Sequence, residues 1–230
     1  MQRVVRHRAW RAFGAAIALL GALLSFAAYA TAKGSGAPRP DAQPVQAPAG
    51  TERWMPVAQR IAERYWRERG FPHCRDELAG GRLIEIRWWP QGALGGHIAS
   101  APLGACKPSS PWRPYINASE FLATRPWLSR CRTIVHEVGH LVGLDHKARF
   151  PVMRQFAEPL VECAKPAAAK RSARELRKRS AKLLREARRA KLRFKRRTLR
   201  QRAAKLRNRA ARYQRTARVN ATIHRGSWNF

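Results

Sequence analysis

The segment TIVHEVGHLVGLDHKARFPVM, residues 133–153, contains three of the seven histidines in the chain. His136 and His140 are four residues apart, so on an α-helix their imidazoles lie on one face and can reach the same ion. Gly143 permits a left-handed turn that ends the helix and lets His146 return to that ion. The spacing predicts that His136, His140 and His146 bind one zinc ion and leave a fourth position open, as in catalytic zinc sites.

Glu137 follows the first of these histidines and is rotated about 100° from it around the helix axis. Its carboxylate is therefore predicted to lie beside the zinc ion rather than on it, where it can accept a proton from a zinc-activated water. The complete pattern is H-E-x-x-H-x-x-G-x-x-H, and Met153 follows seven residues after its last histidine. This layout is typical of catalytic rather than structural zinc.

The pattern resembles the signature of the metzincin zinc peptidases, and it is most similar to the matrixin branch and to short secreted matrixin-like proteins of bacteria. The resemblance is confined to residues 133–153. It implies an exported zinc endopeptidase with one catalytic Zn²⁺, a peptide or protein substrate, Glu137 as the general base and Met153 in a turn beneath the metal. Lys147 departs from the family, because matrixins usually carry Ser there.

Three other residues near this pattern have candidate roles. Asp145 is predicted to be a turn residue or a hydrogen-bond partner of a ligand imidazole. His97 follows two glycines on a candidate strand and is a candidate for the edge of the substrate cleft. Cys74, in the sequence PHCRD, lies in a faint likeness to the inhibitory cysteine motif of matrixins, but the even cysteine count assigns it to a disulfide.

The cysteines predict two disulfide bridges. The chain has four, Cys74, Cys106, Cys131 and Cys163, and an even number in an exported chain is typical of disulfides, here with three possible pairings. The sequential pairing, Cys74 with Cys106 and Cys131 with Cys163, is favoured because each bridge then closes one half of the domain.

The first 32 residues predict export. Residues 1–11 are basic, and residues 12–32 carry no charge over 21 positions and end in an A-x-A site. These features are typical of a signal peptide or of an N-terminal membrane anchor. Because the basic residues precede the apolar run, the rest of the chain is expected to be secreted or anchored at the outer face of the cytoplasmic membrane.

The middle of the chain predicts a linker and an α+β domain. Residues 33–50 are rich in Pro, Ala and Gly, which favours an extended linker. Residues 51–165 contain, in order, a helix within 54–70, short strands at 82–89, 95–100 and 114–121, and a helix at 129–143 with Ser129 as its N-cap. The resemblance implies a small metzincin-like domain with an N-terminal helix, a short twisted sheet, an active-site helix and a methionine turn.

Residues 166–230 form a basic tail. The chain has a formal net charge of +33, and residues 165–230 carry 25 Lys and Arg against Glu175 and Glu186. The composition predicts one long basic helix or a charge-repelled disordered segment. An apolar seam at heptad spacing supports the helix: Leu192, Leu199, Leu206 and Tyr213.

The charge of the tail favours an anionic cell-envelope polymer or a membrane surface as its partner. Export argues against nucleic acid, and the uncompensated Lys and Arg beside the seam argue against a coiled-coil dimer, so a monomer is expected. The alternative to an enzyme is a catalytically weak or inactive zinc-binding fold whose polycationic tail, residues 166–230, binds that partner.

Overall fold

The computed structural model of the chain describes residues 37–72, 74, 84–107, 110, 113–154 and 160–223. Its elements place the protein in the α+β class, as the sequence predicts. The predicted signal peptide or anchor, residues 1–32, lies outside the described residues. Within the ranges given above, no helix has both the length and the apolar character needed to cross a bilayer.

A three-stranded sheet and two main helices form the core of the α+β domain. The elements in chain order are helix α1 (Thr51–Arg67), strands β1 (Glu85–Trp89), β2 (Ala99–Ser100) and β3 (Tyr115–Ser119), and helices α2 (Phe121–Thr124) and α3 (Trp127–Leu141). The strand order is β1-β3-β2, with β1 parallel and β2 antiparallel to β3. Single-turn 3-10 helices follow at Pro151–Met153 and Val161–Cys163.

Helix α1 packs along α3 through the apolar stripe that its sequence predicts. Trp54, Ile61 and Trp66 are at most 1% exposed, and the Trp66 indole donates a 2.7 Å hydrogen bond to Val135 O in α3. Full burial of one such side chain contributes about 1.5–3 kcal/mol. This contact therefore stabilises the helix that carries the first two predicted ligands.

Part of the predicted linker packs on the sheet. Val45 N–H donates to Trp88 O at 2.8 Å and forms an antiparallel bridge with β1, and Arg39 N–H donates to Ala93 O at 2.8 Å. The outer edge of β1 presents backbone groups that need partners, and an extended Pro-rich segment can supply them. Residues 39–45 are thus ordered against the domain rather than a simple spacer.

Helix α3 begins at Trp127 and not at a Ser129 cap. Pro126 is the N-cap residue, with an extended ψ of 148°, and no side chain caps the helix. Ser129 N–H donates to Pro126 O at 2.9 Å and is already inside the first turn. The prediction of Ser129 as N-cap is wrong, because the fixed φ of Pro126 and its missing N–H suit the start of a helix.

Both disulfides follow the sequential pairing, Cys74 with Cys106 and Cys131 with Cys163. The first bridge attaches a loop beside the C-terminal end of α3 to the segment after α1. The second joins α3 to the turn Val161–Cys163, directly before the C-terminal helices. Each bridge therefore connects a segment that is distant in sequence either to α3 itself or to the loop beside its C-terminal end.

Residues 166–223 form two helices instead of the single long helix or the disordered segment that the sequence predicts. Helix α4 spans Pro166–Arg189 and α5 spans Arg193–Ile223, and the two pack against each other as an antiparallel hairpin. The chain leaves the helical conformation at Ala190, where ψ is 120°. In the hairpin Leu199 of the predicted seam is buried and Leu206 and Tyr213 are half-buried, whereas a single straight helix would leave the seam in water.

Small side chains at heptad spacing form the interface of the hairpin. The buried positions are Ala173, Ser180 and Ala187 on α4 and Ala203, Ala210 and Ala217 on α5. The Ser180 hydroxyl donates to Ala203 O at 2.9 Å, which requires a close approach of the two backbones. Leu192, predicted to begin the seam, is 70% exposed. That part of the prediction is wrong, because Leu192 lies in the turn between the helices.

The end of α5 is fixed to the α+β domain. Asn220 is fully buried, and its Nδ2 donates to Glu162 O and to Ala164 O, both at 2.9 Å. Its Oδ1 accepts a 3.0 Å hydrogen bond from Arg64 Nη2 of α1. Arg212 of α5 also forms a 3.0 Å ion pair with the Glu162 carboxylate. The base of the hairpin is therefore part of the packed structure.

Candidate metal centre

The three predicted ligands converge through their Nε2 atoms. Nε2 of His136 lies 3.1 Å from that of His140 and 3.2 Å from that of His146, and the last two are 3.1 Å apart. The atoms form an almost equilateral triangle. A point about 2.0–2.1 Å from all three, the usual zinc–nitrogen distance, lies just outside its plane. The spacing of the nitrogens fits one zinc ion.

Two backbone carbonyls orient the two imidazoles on α3. His136 Nδ1 donates to Val152 O at 2.8 Å, and His140 Nδ1 donates to Leu144 O at 2.7 Å. Because a carbonyl can only accept, each Nδ1 carries the proton, and a neutral ring then presents a lone pair at Nε2. Lone pairs that face each other repel, and a shared cation removes this repulsion.

Burial keeps these two imidazoles in the neutral form that binds metals. The pKa of His136 is lowered to about 4, mainly by desolvation and to a smaller extent by the neighbouring His140 and His146. Desolvation also lowers the pKa of His140. The ring of His146 is exposed. The cluster is therefore shielded on the side of α3 and open to solvent on the side of His146.

Gly143 ends α3 in the left-handed conformation that the sequence predicts, at φ 95°. Its N–H donates to His140 O at 2.8 Å, and Leu144 N–H donates to Gly139 O at 2.9 Å. These two bonds are the Schellman pattern of a helix end. The reversal brings His146 to the other two histidines. Since Leu144 O also accepts from the ring of His140, one turn positions two of the three imidazoles.

Met153 packs against α3 at Gly139, beside the histidine cluster. It is fully buried, and a Cβ placed on Gly139 would overlap its Sδ and lie 2.7 Å from Trp66 Cζ2. Gly139 lies between the two helical histidines in sequence, so Met153 packs against the part of α3 that carries them. The same turn supplies Val152 O to His136. This turn therefore supports the site in two ways: Met153 packs against α3, and Val152 O accepts a hydrogen bond from His136.

Glu137 is buried and follows His136, the first predicted ligand, in the sequence. The residue is 5% exposed, and its Oε2 has no hydrogen-bond partner among the described residues. Burial raises the pKa of Glu137 to about 8, because an ionised carboxylate is poorly solvated there. A divalent cation held by the neighbouring histidines has the opposite effect, since a positive charge favours the carboxylate. The unpartnered oxygen fits a site that is completed by an ion and water.

The remaining candidate residues have separate positions. Asp145 Oδ1 accepts the N–H of Lys147 at 2.9 Å, so Asp145 has the first of its two predicted roles, that of a turn residue. His97 is not in the histidine cluster. It lies two residues before β2, which contacts α3. Its role at the edge of a cleft stays a prediction.

Sequence reasoning missed a loop that closes the end of α3. Gly104 N–H donates to His140 O and Cys106 N–H donates to Leu141 O, both at 2.8 Å, which satisfies carbonyls that a helix end leaves without partners. The Lys107 side chain crosses Gly143, where an added Cβ would lie 2.6 Å from Lys107 Cε. These contacts are made by backbone groups and a flexible side chain, so only the bridged Cys106 offered a signal in the sequence.

Comparison of the chain with protein-family models, with curated proteins and with solved structures finds no match. The interpretation of the site therefore rests on its own residues and their geometry.

Proposed function

We propose that the protein is an exported zinc-dependent endopeptidase of the metzincin type. The observation that carries the proposal is the triangle of Nε2 atoms from His136, His140 and His146, with sides of 3.1–3.2 Å. These three residues would hold the ion. Three protein ligands leave one position for water or substrate, which is the arrangement of catalytic rather than structural zinc.

When bound, Zn²⁺ supplies Lewis acidity, which lowers the pKa of a coordinated water and polarises a carbonyl oxygen. The Glu137 carboxylate takes a proton from the attacking water and delivers it to the nitrogen of the leaving amine. A C–O bond thus forms at the peptide carbonyl as its C–N bond breaks. Val152 O and Leu144 O keep two imidazoles in the required tautomer and orientation throughout.

We assign an extended peptide as the substrate form. Strand β2 lies at the edge of the sheet and contacts α3, the helix that carries Glu137. The edge of a sheet can bind a peptide as an added strand, through backbone hydrogen bonds. A peptide bound along β2 would pass near His97 on its way to the three histidines.

Zinc content tests the ligand set. The full chain, purified with oxidised cysteines, is expected to bind one zinc ion, and His146→Ala is expected to weaken binding by more than the roughly 10–100-fold that loss of a supporting hydrogen bond causes. His97→Ala is the matched control, because it removes a histidine outside the cluster. Equal zinc content in the wild type and in His146→Ala would contradict the three-histidine site.

Peptide cleavage tests the chemistry. Glu137→Gln keeps the shape of the side chain but not its basicity, so we expect it to retain zinc and to lose roughly 10²–10⁴-fold in the rate of cleavage of a peptide library. Undiminished cleavage by this variant would contradict the role of Glu137. A wild type that binds zinc and cleaves no peptide would favour the inactive zinc-binding fold.

A further inference from the structure

The turn of the hairpin carries an unusual surface. Residues 191–197 read KLRFKRR, so five of the seven are basic and the other two are Leu192 and Phe194. Leu192 is 70% exposed and Phe194 is 82% exposed, the highest values among the large hydrophobic side chains of the described residues. We call residues 191–197 the hairpin tip.

The tip lies far from the anchored end of the hairpin. Helix α4 has 24 residues, which corresponds to about 36 Å of helix between the α+β domain and the tip. At the other end Asn220 is buried against the domain. The two exposed apolar side chains are therefore presented at the distal end of a long, packed projection, and the interface of the hairpin does not cover them.

From residue 187 to residue 223 the charged side chains are all Lys or Arg. Every Lys and Arg from Lys170 to Arg218 is exposed. No Asp or Glu follows Glu186 in the chain. Such a surface attracts anionic groups within a Debye length of about 8 Å at physiological ionic strength. This charge alone is sufficient to bind a soluble polyanion. The exposed Leu192 and Phe194 favour a partner that also removes their apolar surface from water.

We propose that the hairpin tip binds an anionic phospholipid bilayer. Leu192 and Phe194 insert at the boundary between headgroups and acyl chains, and the five cations of residues 191–197 lie among the headgroups. Apolar insertion and attraction to anionic lipid act together at such interfaces, and neither is strong alone. The interaction does not depend on the zinc site, and it would hold the α+β domain at a distance from the membrane surface set by the hairpin.

A local probe distinguishes insertion from charge attraction. The four native cysteines are paired, so a polarity-sensitive fluorophore reacts only with an introduced thiol, at Phe194→Cys or at the control Gln201→Cys, an exposed position on α5. With the full chain and vesicles of equal phosphatidylglycerol and phosphatidylcholine, we expect a shift to shorter wavelength at position 194 and none at 201. Pure phosphatidylcholine vesicles are expected to produce no shift at either position.

Variants without a label test the energetic contribution. The double variant Leu192→Ser, Phe194→Ser is expected to bind the anionic vesicles about tenfold more weakly than the wild type. Leu103→Ser is the matched control, because Leu103 is 64% exposed on the α+β domain. Residues 12–32 are the same in every variant, so a difference between variants reports the hairpin.

Two results would overturn the proposal. One is a label at position 194 whose emission stays unchanged while the chain is bound to anionic vesicles. The other is a double variant whose affinity for the anionic vesicles and whose affinity for dextran sulfate both equal those of the wild type. The second result would assign the surface to polyanions in general, with an envelope polymer as the partner.

Discussion

At the scale of single residues, the candidate site depends on two glycines, Gly139 within α3 and Gly143 just after its end. Gly139 lets Trp66 and Met153 approach the helix between the first two histidines, since any Cβ there would overlap Met153 Sδ. Gly143 supplies the positive φ that ends the helix. Neither glycine is a candidate ligand, but both determine where the imidazoles lie.

We expect Gly139→Ala to lower the free energy of unfolding by about 1–3 kcal/mol, because the added methyl overpacks a filled space. The better helix propensity of Ala, worth about 1 kcal/mol, offsets part of this cost. Urea unfolding measures the change. In a Met153→Ala background the same substitution should cost less, since the overlapping Sδ is gone; an equal cost in both backgrounds would exclude Met153 as the cause.

A graded series at Gly143 tests the turn. Asn tolerates the left-handed conformation, whereas Val is strained there by roughly 1–2 kcal/mol. Both also displace the Lys107 side chain, which lies 2.6 Å from the position of an added Cβ. We therefore expect zinc affinity to fall in the order Gly, Asn, Val, as measured by competition with a chelator. Equal affinities for Asn and Val would show that backbone conformation is not what limits the site.

At the scale of elements, the hairpin shows how a strongly charged sequence still forms a packed pair of helices. The two seams use Ala and Ser at heptad positions, so the backbones approach closely and the Ser180 hydroxyl reaches Ala203 O. Long basic side chains remain outside on both helices. The close contact of small residues is needed because mutual repulsion of the charges opposes the pairing.

Ala210 and Ala211 offer a matched test of this interface. Ala210 is buried in the seam, whereas Ala211 is exposed beside it. Ala210→Leu should separate the helices and destabilise the hairpin by about 1–3 kcal/mol, and Ala211→Leu should have little effect. Thermal unfolding followed by helical circular dichroism measures both. Similar effects of the two variants would contradict the proposed packing of the hairpin.

At the scale of the whole molecule, Asn220 joins three parts of the chain. Its side-chain Nδ2 donates to Glu162 O and Ala164 O, which precede the hairpin, and its Oδ1 accepts from Arg64 of α1. Asn220 itself is 0% exposed, so its amide nitrogen and oxygen are shielded from water. Asn220 therefore couples the domain to the hairpin, together with the ion pair of Arg212 and Glu162.

We expect Asn220→Ala to weaken this coupling by about 1–3 kcal/mol, since it leaves buried donors and acceptors without partners. Hydrogen exchange of the last turns of α5 should rise, with little change in the seam near the tip. Asn208→Ala, at an exposed position of the same helix, is the control. Unchanged exchange in the Asn220 variant would mean that the ion pair of Arg212 with Glu162 is sufficient.

The sequence by itself determined the grouping of His136, His140 and His146 and the turn at Gly143. These features are local, because helical spacing and the sign of φ depend on residues a few positions apart. The same locality explains why α1, β1, β3 and α3 lie within three residues of their expected bounds. Ser129 was assigned incorrectly as the N-cap, because Pro126, three residues earlier, also suits the start of a helix.

Only the tertiary structure decided which groups support the site and what the tail becomes. Val152 O and Leu144 O orient two imidazoles, and backbone carbonyls leave no pattern in the sequence. The apolar seam of α5 predicted a helix. It did not predict that α4 and the domain cover this seam, because those contacts join residues that are distant in sequence. The exposure of Leu192 followed from that choice, because the reversal of the chain placed it in the turn rather than in the seam.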